Sequence, residues 1–294
     1  MLDEYKGITT ALTTPFAEDG SVDAEAFERQ IEFQIQSGVS ALLVSGGTGE
    51  YVGMSADQRV EAIACAHRVA AGRVPVMAGV LEAGFSDAIQ EGLRAKDAGA
   101  DSLLVITPYY TVCSQENLFE YYAEYSKQLD MPIFLYDIPY KTYIQLSPSV
   151  AEKLVDQCPH IVGIKECTSD LSIAVDTLNR LHGKSIFLSG EEFLVPAELM
   201  LGADGAVMAS ANVVPQVWVD LYQSIAGGDY QQARSNFAGY FQLFKHIFQE
   251  PNPVPLKYLM QQLGTDSGRM SFPLGKPSDA LQQLLKDDIQ RLGL

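Results

Sequence analysis

Short, nearly continuous apolar runs recur along the chain, each followed by a polar stretch with helical spacing. Eight such runs stand out, at residues 8–12, 41–45, 74–80, 102–107, 132–138, 161–165, 185–189 and 205–210. A strand buried on both faces reads as a continuous run rather than an alternation, so these runs predict a parallel sheet. The intervening segments carry helix starts and stops. Residues 23–37 place Ala26, Phe27, Ile31 and Ile35 on one face and stop at Gly38. Residues 55–71 start at a serine and stop at Gly72, residues 86–98 stop at Gly99, and Ser114 opens a helix ending near Asp130. A Ser or Asp at the start and a Gly past the end is the capping asymmetry of helices.

Eight βα units repeating every 20–30 residues or so predict a closed barrel rather than an open doubly wound sheet. Gly99-Ala100-Asp101 and Gly202-Ala203-Asp204 both stand just before a strand, as an echo of the repeated unit. After the eighth run the chain reads as helices at 213–226, 229–248, 255–263 and 278–291, of which one completes the barrel. The expected architecture is therefore an α/β fold, a (β/α)8 TIM barrel over residues 1–226 with a C-terminal helical extension over 227–294. No Gly-, Ser- or Pro-rich linker separates the two.

Composition narrows the partners. Hydrophobic residues make up 47% and charged residues 19%, enough apolar material for a large core. Lys and Arg total 20 against 37 Asp and Glu, a formal charge of −17. Nucleic acids and anionic membranes both demand a basic surface, so neither is an expected partner. A small anionic substrate is still compatible, because a few buried cations dominate locally. Cys65, Cys113, Cys158 and Cys167 are widely spaced, as are the four histidines, so neither a disulfide framework nor a metal site is expected. The first residues lack the basic and apolar regions of a secretory signal, and no apolar run approaches the ~20 residues of a membrane span. A cytoplasmic setting is the expectation.

In a barrel of this kind, reactive groups sit at the C-terminal ends of the strands. Those ends read Gly46-Gly47-Thr48-Gly49-Glu50, Thr107-Pro108-Tyr109-Tyr110, Tyr136-Asp137-Ile138-Pro139, Ile164-Lys165-Glu166-Cys167, Ser189-Gly190-Glu191-Glu192 and Ser210-Ala211-Asn212. Lys165 is the most informative, because it interrupts an apolar strand. Taking an ammonium out of water favours the neutral amine, the form that attacks a carbonyl carbon. The competing reading is a strand-end lysine paired with Glu166. The turn at 46–50 can present backbone N–H groups and the Thr48 hydroxyl to an anion, or serve as a plain tight turn. It lacks both nucleotide-binding glycine spacings. Tyr136 and Tyr110 suit proton relay, against a packing role. Glu191 and Glu192 read as solvated loop carboxylates in preference to a polar wall of the site. Cys167 shares a strand face with Lys165 and reads as core or pocket lining.

Taken together, these motifs resemble the dihydrodipicolinate synthase / N-acetylneuraminate lyase family of Schiff-base (class I) aldolases. The similarity spans nearly the whole chain. It includes Gly7-Ile8, Thr13-Thr14-Pro15-Phe16, the five-residue turn at 46–50, Thr107 to Tyr110, Tyr136 to Pro139, Gly163 to Lys165, Ser189-Gly190 and Asn252-Pro253 to Lys257. The resemblance implies an imine between Lys165 and pyruvate or another 2-oxo acid, with Tyr136 moving protons and Tyr110 reaching across a subunit contact. It implies that Gly47 and Thr48 hold the carboxylate, and that Val207 and Gly190 flank the bound acid. It implies no metal or organic cofactor, and a homotetramer or homodimer.

Two departures concern the second substrate. Synthases of the dihydrodipicolinate type usually carry a hydroxyl residue where this chain has Gly47, and an arginine where it has Lys141. Lysine keeps the charge and loses the planar fork. Phe193 and Ala209 depart from the sialic acid lyase pattern. The expected activity is a 4-hydroxy-tetrahydrodipicolinate synthase type of lyase, condensing pyruvate with an aldehyde. Two alternatives are a dehydratase or aldolase of a deoxy-keto sugar acid such as 5-dehydro-4-deoxyglucarate, and a non-catalytic 2-oxo-acid binding protein.

Overall fold

The computed structural model describes residues 2–294. Its eight strands are β1 (Gly7–Ala11), β2 (Ala41–Val44), β3 (Val76–Val80), β4 (Ser102–Ile106), β5 (Ile133–Asp137), β6 (Ile161–Glu166), β7 (Ile186–Ser189) and β8 (Gly205–Met208). Each pairs in parallel with the next, and β8 returns to β1, closing the barrel. Almost every strand residue is buried, which is why the strands read as unbroken apolar runs. The closure is tight. A side chain on Gly205 would strike the backbone of Gly7, so glycine at 205 lets β8 meet β1.

Alternation along the strands builds two apolar layers. Ala11, Leu43, Met77, Leu104, Phe134, Tyr136, Leu188 and Val207 fill the barrel. Their neighbours, such as Leu42, Val105, Leu135, Ile164 and Phe187, pack outward against the helices. Tyr5 packs on Phe134 with ring centroids 5.0 Å apart and plugs the N-terminal end.

The helices start where their caps predict. Asp23, Ser55, Ser114 and Ser278 each accept a backbone N–H of the first turn, and Ser55 with Gln58 forms a full capping box. Gly38, Gly72 and Gly99 take left-handed conformations after the first three barrel helices. The third begins one residue earlier than expected, at Phe85. Past β8 lie the helices Pro215–Ala226, Tyr230–Ile247, Val254–Gln262 and Asp279–Leu292.

Strand ends differ from the apolar runs by at most one residue, except in two places where they differ by two. β3 starts at Val76, after Pro75, which has no N–H for the ladder. β8 stops at Met208, and Ser210 begins a 3-10 turn. The N–H groups of Ala209 and Ser210 turn instead to a carboxylate oxygen of Glu192, at 2.9 and 3.2 Å.

Candidate active site

A cavity of about 650 Å³ opens at the C-terminal end of the barrel. Gly47 and Thr48 follow β2, Tyr136 ends β5, Lys165 and Cys167 lie on and after β6, and Gly190, Glu192 and Val207 come from β7, its loop and β8. Tyr140 and Lys141 stand at the rim on the short helix Pro139–Thr142. Residues 248–252 of the C-terminal region complete the wall.

Lys165 is 7% exposed, and no carboxylate of the described residues lies within ion-pair distance of its Nζ. The expected competitor, Glu166, points to the opposite side of the strand and accepts the Thr168 N–H at 2.8 Å. The amine instead sits 4.6 Å from the ring centroid of Tyr136, its neighbour across the β5–β6 register. Burial holds the Tyr136 phenol well above its ordinary pKa, so it remains a proton donor at neutral pH. Burial likewise keeps Cys167 a thiol, which fits a lining residue rather than a nucleophile.

The turn between β2 and the 3-10 segment Tyr51–Gly53 is built around internal bonds from Glu50 N–H to the Gly47 carbonyl and Tyr51 N–H to the Gly46 carbonyl. The N–H groups of Gly47 and Thr48 donate to no backbone carbonyl of the described residues. They are left to an anion or to water. The Thr48 hydroxyl accepts from the Asn252 side-chain amide at 2.9 Å. Gly190 is small because Lys165 needs the room. An added Cβ would lie 2.9 Å from Lys165 Cε and would strike Cys167 Sγ.

One expectation changes. Glu192 is no solvated loop residue: it is 6% exposed and lines the cavity, one oxygen held by the Ala209 and Ser210 amides. Burial pushes its pKa up to about 7, against the pull of those amides and of Lys165. Tyr110 is not brought to its own chain's cavity. It is 96% exposed, with a left-handed φ of 70°, and Tyr109 lines the wall in its stead, donating to the Leu81 carbonyl at 3.0 Å. Lys141 is exposed at the rim, and Val207 is buried beside the lysine's level of the barrel.

The chain that places one buried lysine at the end of β6, a phenol beside it and an anion-ready turn across the mouth is similar to known proteins over nearly its whole length. The profile of the Dihydrodipicolinate synthetase family matches residues 4–292. The chain belongs to this family. Proteins named 4-hydroxy-tetrahydrodipicolinate synthase from Fervidobacterium nodosum and Methylibium petroleiphilum are similar to it. They are 31% identical over 290 residues and 35% over 289, covering 98–99% of both chains. A crystal structure of dihydrodipicolinate synthase from Aquifex aeolicus superimposes with a TM-score of 0.95 at 33% identity, covering 99% of each chain. A chloride-inhibited dihydrodipicolinate synthase from Acinetobacter baumannii, complexed with pyruvate, does so with a TM-score of 0.94 at 31% identity, covering 98% of this chain and 99% of that one. The family is one of class I aldolases and lyases, so the chain is an enzyme of that type.

Within the dihydrodipicolinate synthetase frame, two groups escaped the reading of the chain. Glu192 looked like half of an exposed acidic pair, and only the carboxylate-to-amide bonds reveal its burial. Asn252 and Lys257 stood in a matching motif without a role, because their partners at 48 and 50 lie some two hundred residues earlier.

Proposed function

We propose that the protein is a 4-hydroxy-tetrahydrodipicolinate synthase type of lyase that condenses pyruvate with an aldehyde through an imine on Lys165. The observation that carries this is Lys165 itself, buried at the end of β6 with no carboxylate partner and facing the cavity beside Tyr136. The neutral amine attacks the ketone carbon of the 2-oxo acid. The carbinolamine hydroxyl leaves as water with a proton from the Tyr136 phenol, giving a protonated imine. Loss of a proton from the methyl carbon yields an enamine, whose carbon attacks the aldehyde while the aldehyde oxygen takes up a proton. Water then releases the product and restores the amine. The imine is the electron sink, so no organic cofactor enters.

In this reading Gly47 and Thr48 hold the 2-oxo acid's carboxylate, Gly190 and Val207 flank it, and Lys141 meets the second reactant at the rim. Tyr110 acts from a neighbouring subunit of a homotetramer or homodimer in the cytoplasm. Its near-complete exposure on the loop after β4 supports that placement. A second reading, a dehydratase or aldolase of a deoxy-keto sugar acid, draws support from the carboxyl of Glu192 in the wall and from the missing hydroxyl at Gly47.

Borohydride reduction in the presence of pyruvate, followed by peptide mass mapping, tests the imine. The expected adduct is on Lys165 and disappears in Lys165→Ala. An adduct elsewhere, or none, overturns the mechanism. Release of pyruvate from a sugar acid, with no condensation of pyruvate and an aldehyde, favours the second reading.

A further inference from the structure

The turn at 46–50 is gripped from outside the barrel. Glu50 adopts a left-handed φ of 61°, a conformation that a residue with a side chain keeps only where its surroundings over-determine it. Here they do. One carboxylate oxygen accepts from Lys257 Nζ at 2.8 Å, and the other accepts from the Ser271 N–H and hydroxyl, both at 2.7 Å. Lys257 is 0% exposed, on the helix Val254–Gln262. Its ammonium also donates to the Thr14 carbonyl at 2.7 Å, and the Thr14 hydroxyl donates to the Gly49 carbonyl at 2.8 Å. The Asn252 amide reaches Thr48 itself. Three consecutive turn residues are thus tied to partners outside the turn, two of them to the C-terminal region.

A buried ion pair is weak evidence for stability, because an apolar or neutral pair of similar size often serves the fold as well. What the pair does supply is direction. It fixes the peptide planes that leave the Gly47 and Thr48 N–H groups free. Asn252 occupies a lone pair of the Thr48 hydroxyl, leaving its proton to be given to an anion. We propose that Lys257, through Glu50, and Asn252, through Thr48, are positioning residues for the carboxylate of the 2-oxo acid. Neither is needed for the amine chemistry at Lys165. The proposal rests on the reading that this turn receives the carboxylate.

The test is the variant Lys257→Met combined with Glu50→Gln, which removes both charges together and keeps the volumes and an acceptor for Ser271. Pyruvate KM, kcat, thermal midpoint and borohydride trapping at saturating pyruvate are measured beside wild type. The midpoint is expected close to wild type, with KM for pyruvate raised about tenfold or more, the loss expected when one hydrogen bond to a charged group is weakened. Turnover at saturation is expected within about threefold of wild type, the pattern of lost uniform binding, with trapping on Lys165 retained. A folded double variant with wild-type KM overturns the proposal while the imine reading stands. Absence of an imine in the wild type itself removes the imine reading and the proposal with it. If the double variant does not fold, Asn252→Ala, which leaves the ion pair in place, decides: an unchanged KM overturns the proposal.

Discussion

Gly190 and Gly47 both stand at the mouth of the cavity, and they are glycine for opposite reasons. At Gly190 any side chain would collide with Lys165 and Cys167, so the residue makes room for the amine. At Gly47 an added Cβ would meet nothing within 4 Å, and the residue has no left-handed φ to protect. Synthases with a hydroxyl at that place therefore differ from this chain in chemistry and not in space. Gly47→Thr is expected to fold with an unchanged thermal midpoint and to raise condensation turnover by roughly a hundredfold, the lower side of a general acid–base contribution. Steady-state rates with pyruvate and an aldehyde check it, and an unchanged rate in a folded variant assigns the proton transfer to Thr48 or water. Lys165 was legible in the chain because a charged residue broke an apolar run. Glu192 was not, because adjacent glutamates look alike until one of them finds backbone N–H groups contributed by another strand's end.

At the scale of elements, the strands were readable because each is buried on both faces, and their limits missed by more than one residue only where something other than hydropathy ended the ladder. Pro75 delays β3 by lacking a donor. Glu192 ends β8 by drawing off the next two N–H groups. The loop after β4 was legible as a motif, and its Tyr110 stands outside the chain's own cavity, which is compatible with the cross-subunit role that the resemblance implied. Tyr110→Phe is expected to slow turnover by roughly 100-fold or more with unchanged sedimentation, as for loss of one relay proton. Full turnover in that variant, or in a species that sediments as a monomer, removes Tyr110 from the reaction.

For the whole molecule, acidity inside matters beside acidity outside. Behind Lys165 and Tyr136, on the outward faces of β5 and β6, Asp137 and Glu166 lie side by side in register, with Glu198 close enough to raise the latter's pKa further. Burial pushes Asp137 up to about 7, Glu166 to about 9 and Glu198 to about 7. One carboxyl oxygen of Glu166 finds no protein partner among the described residues, and the Ser189 hydroxyl stands beside the Glu198 carboxyl. In the unfolded chain such groups titrate near pH ~4. Between there and their raised values the folded state binds more protons than the unfolded one. Stability is therefore greatest in mild acid and falls as pH rises toward 9, by up to about 1.4 kcal/mol per pH unit for each proton retained. Thermal midpoints measured from pH 5 to 9 are expected to decline, and Glu198→Gln is expected to make the decline shallower. A midpoint that rises across this range contradicts the burial of these groups as neutral acids.

The grip of Lys257 and Asn252 on the first third of the chain also orders events in time. Translation delivers the barrel strands first, and the last of them is complete at Met208, but the turn at 46–50 is still without its partners at 252, 257 and 271. A nascent chain long enough to close the barrel already carries Lys165, yet it lacks the clasp on the opposite lip. On the reading proposed above, tight binding of the 2-oxo acid arrives only with the final few dozen residues, so a ribosome-bound or prematurely released product holds substrate weakly although most of its fold has formed.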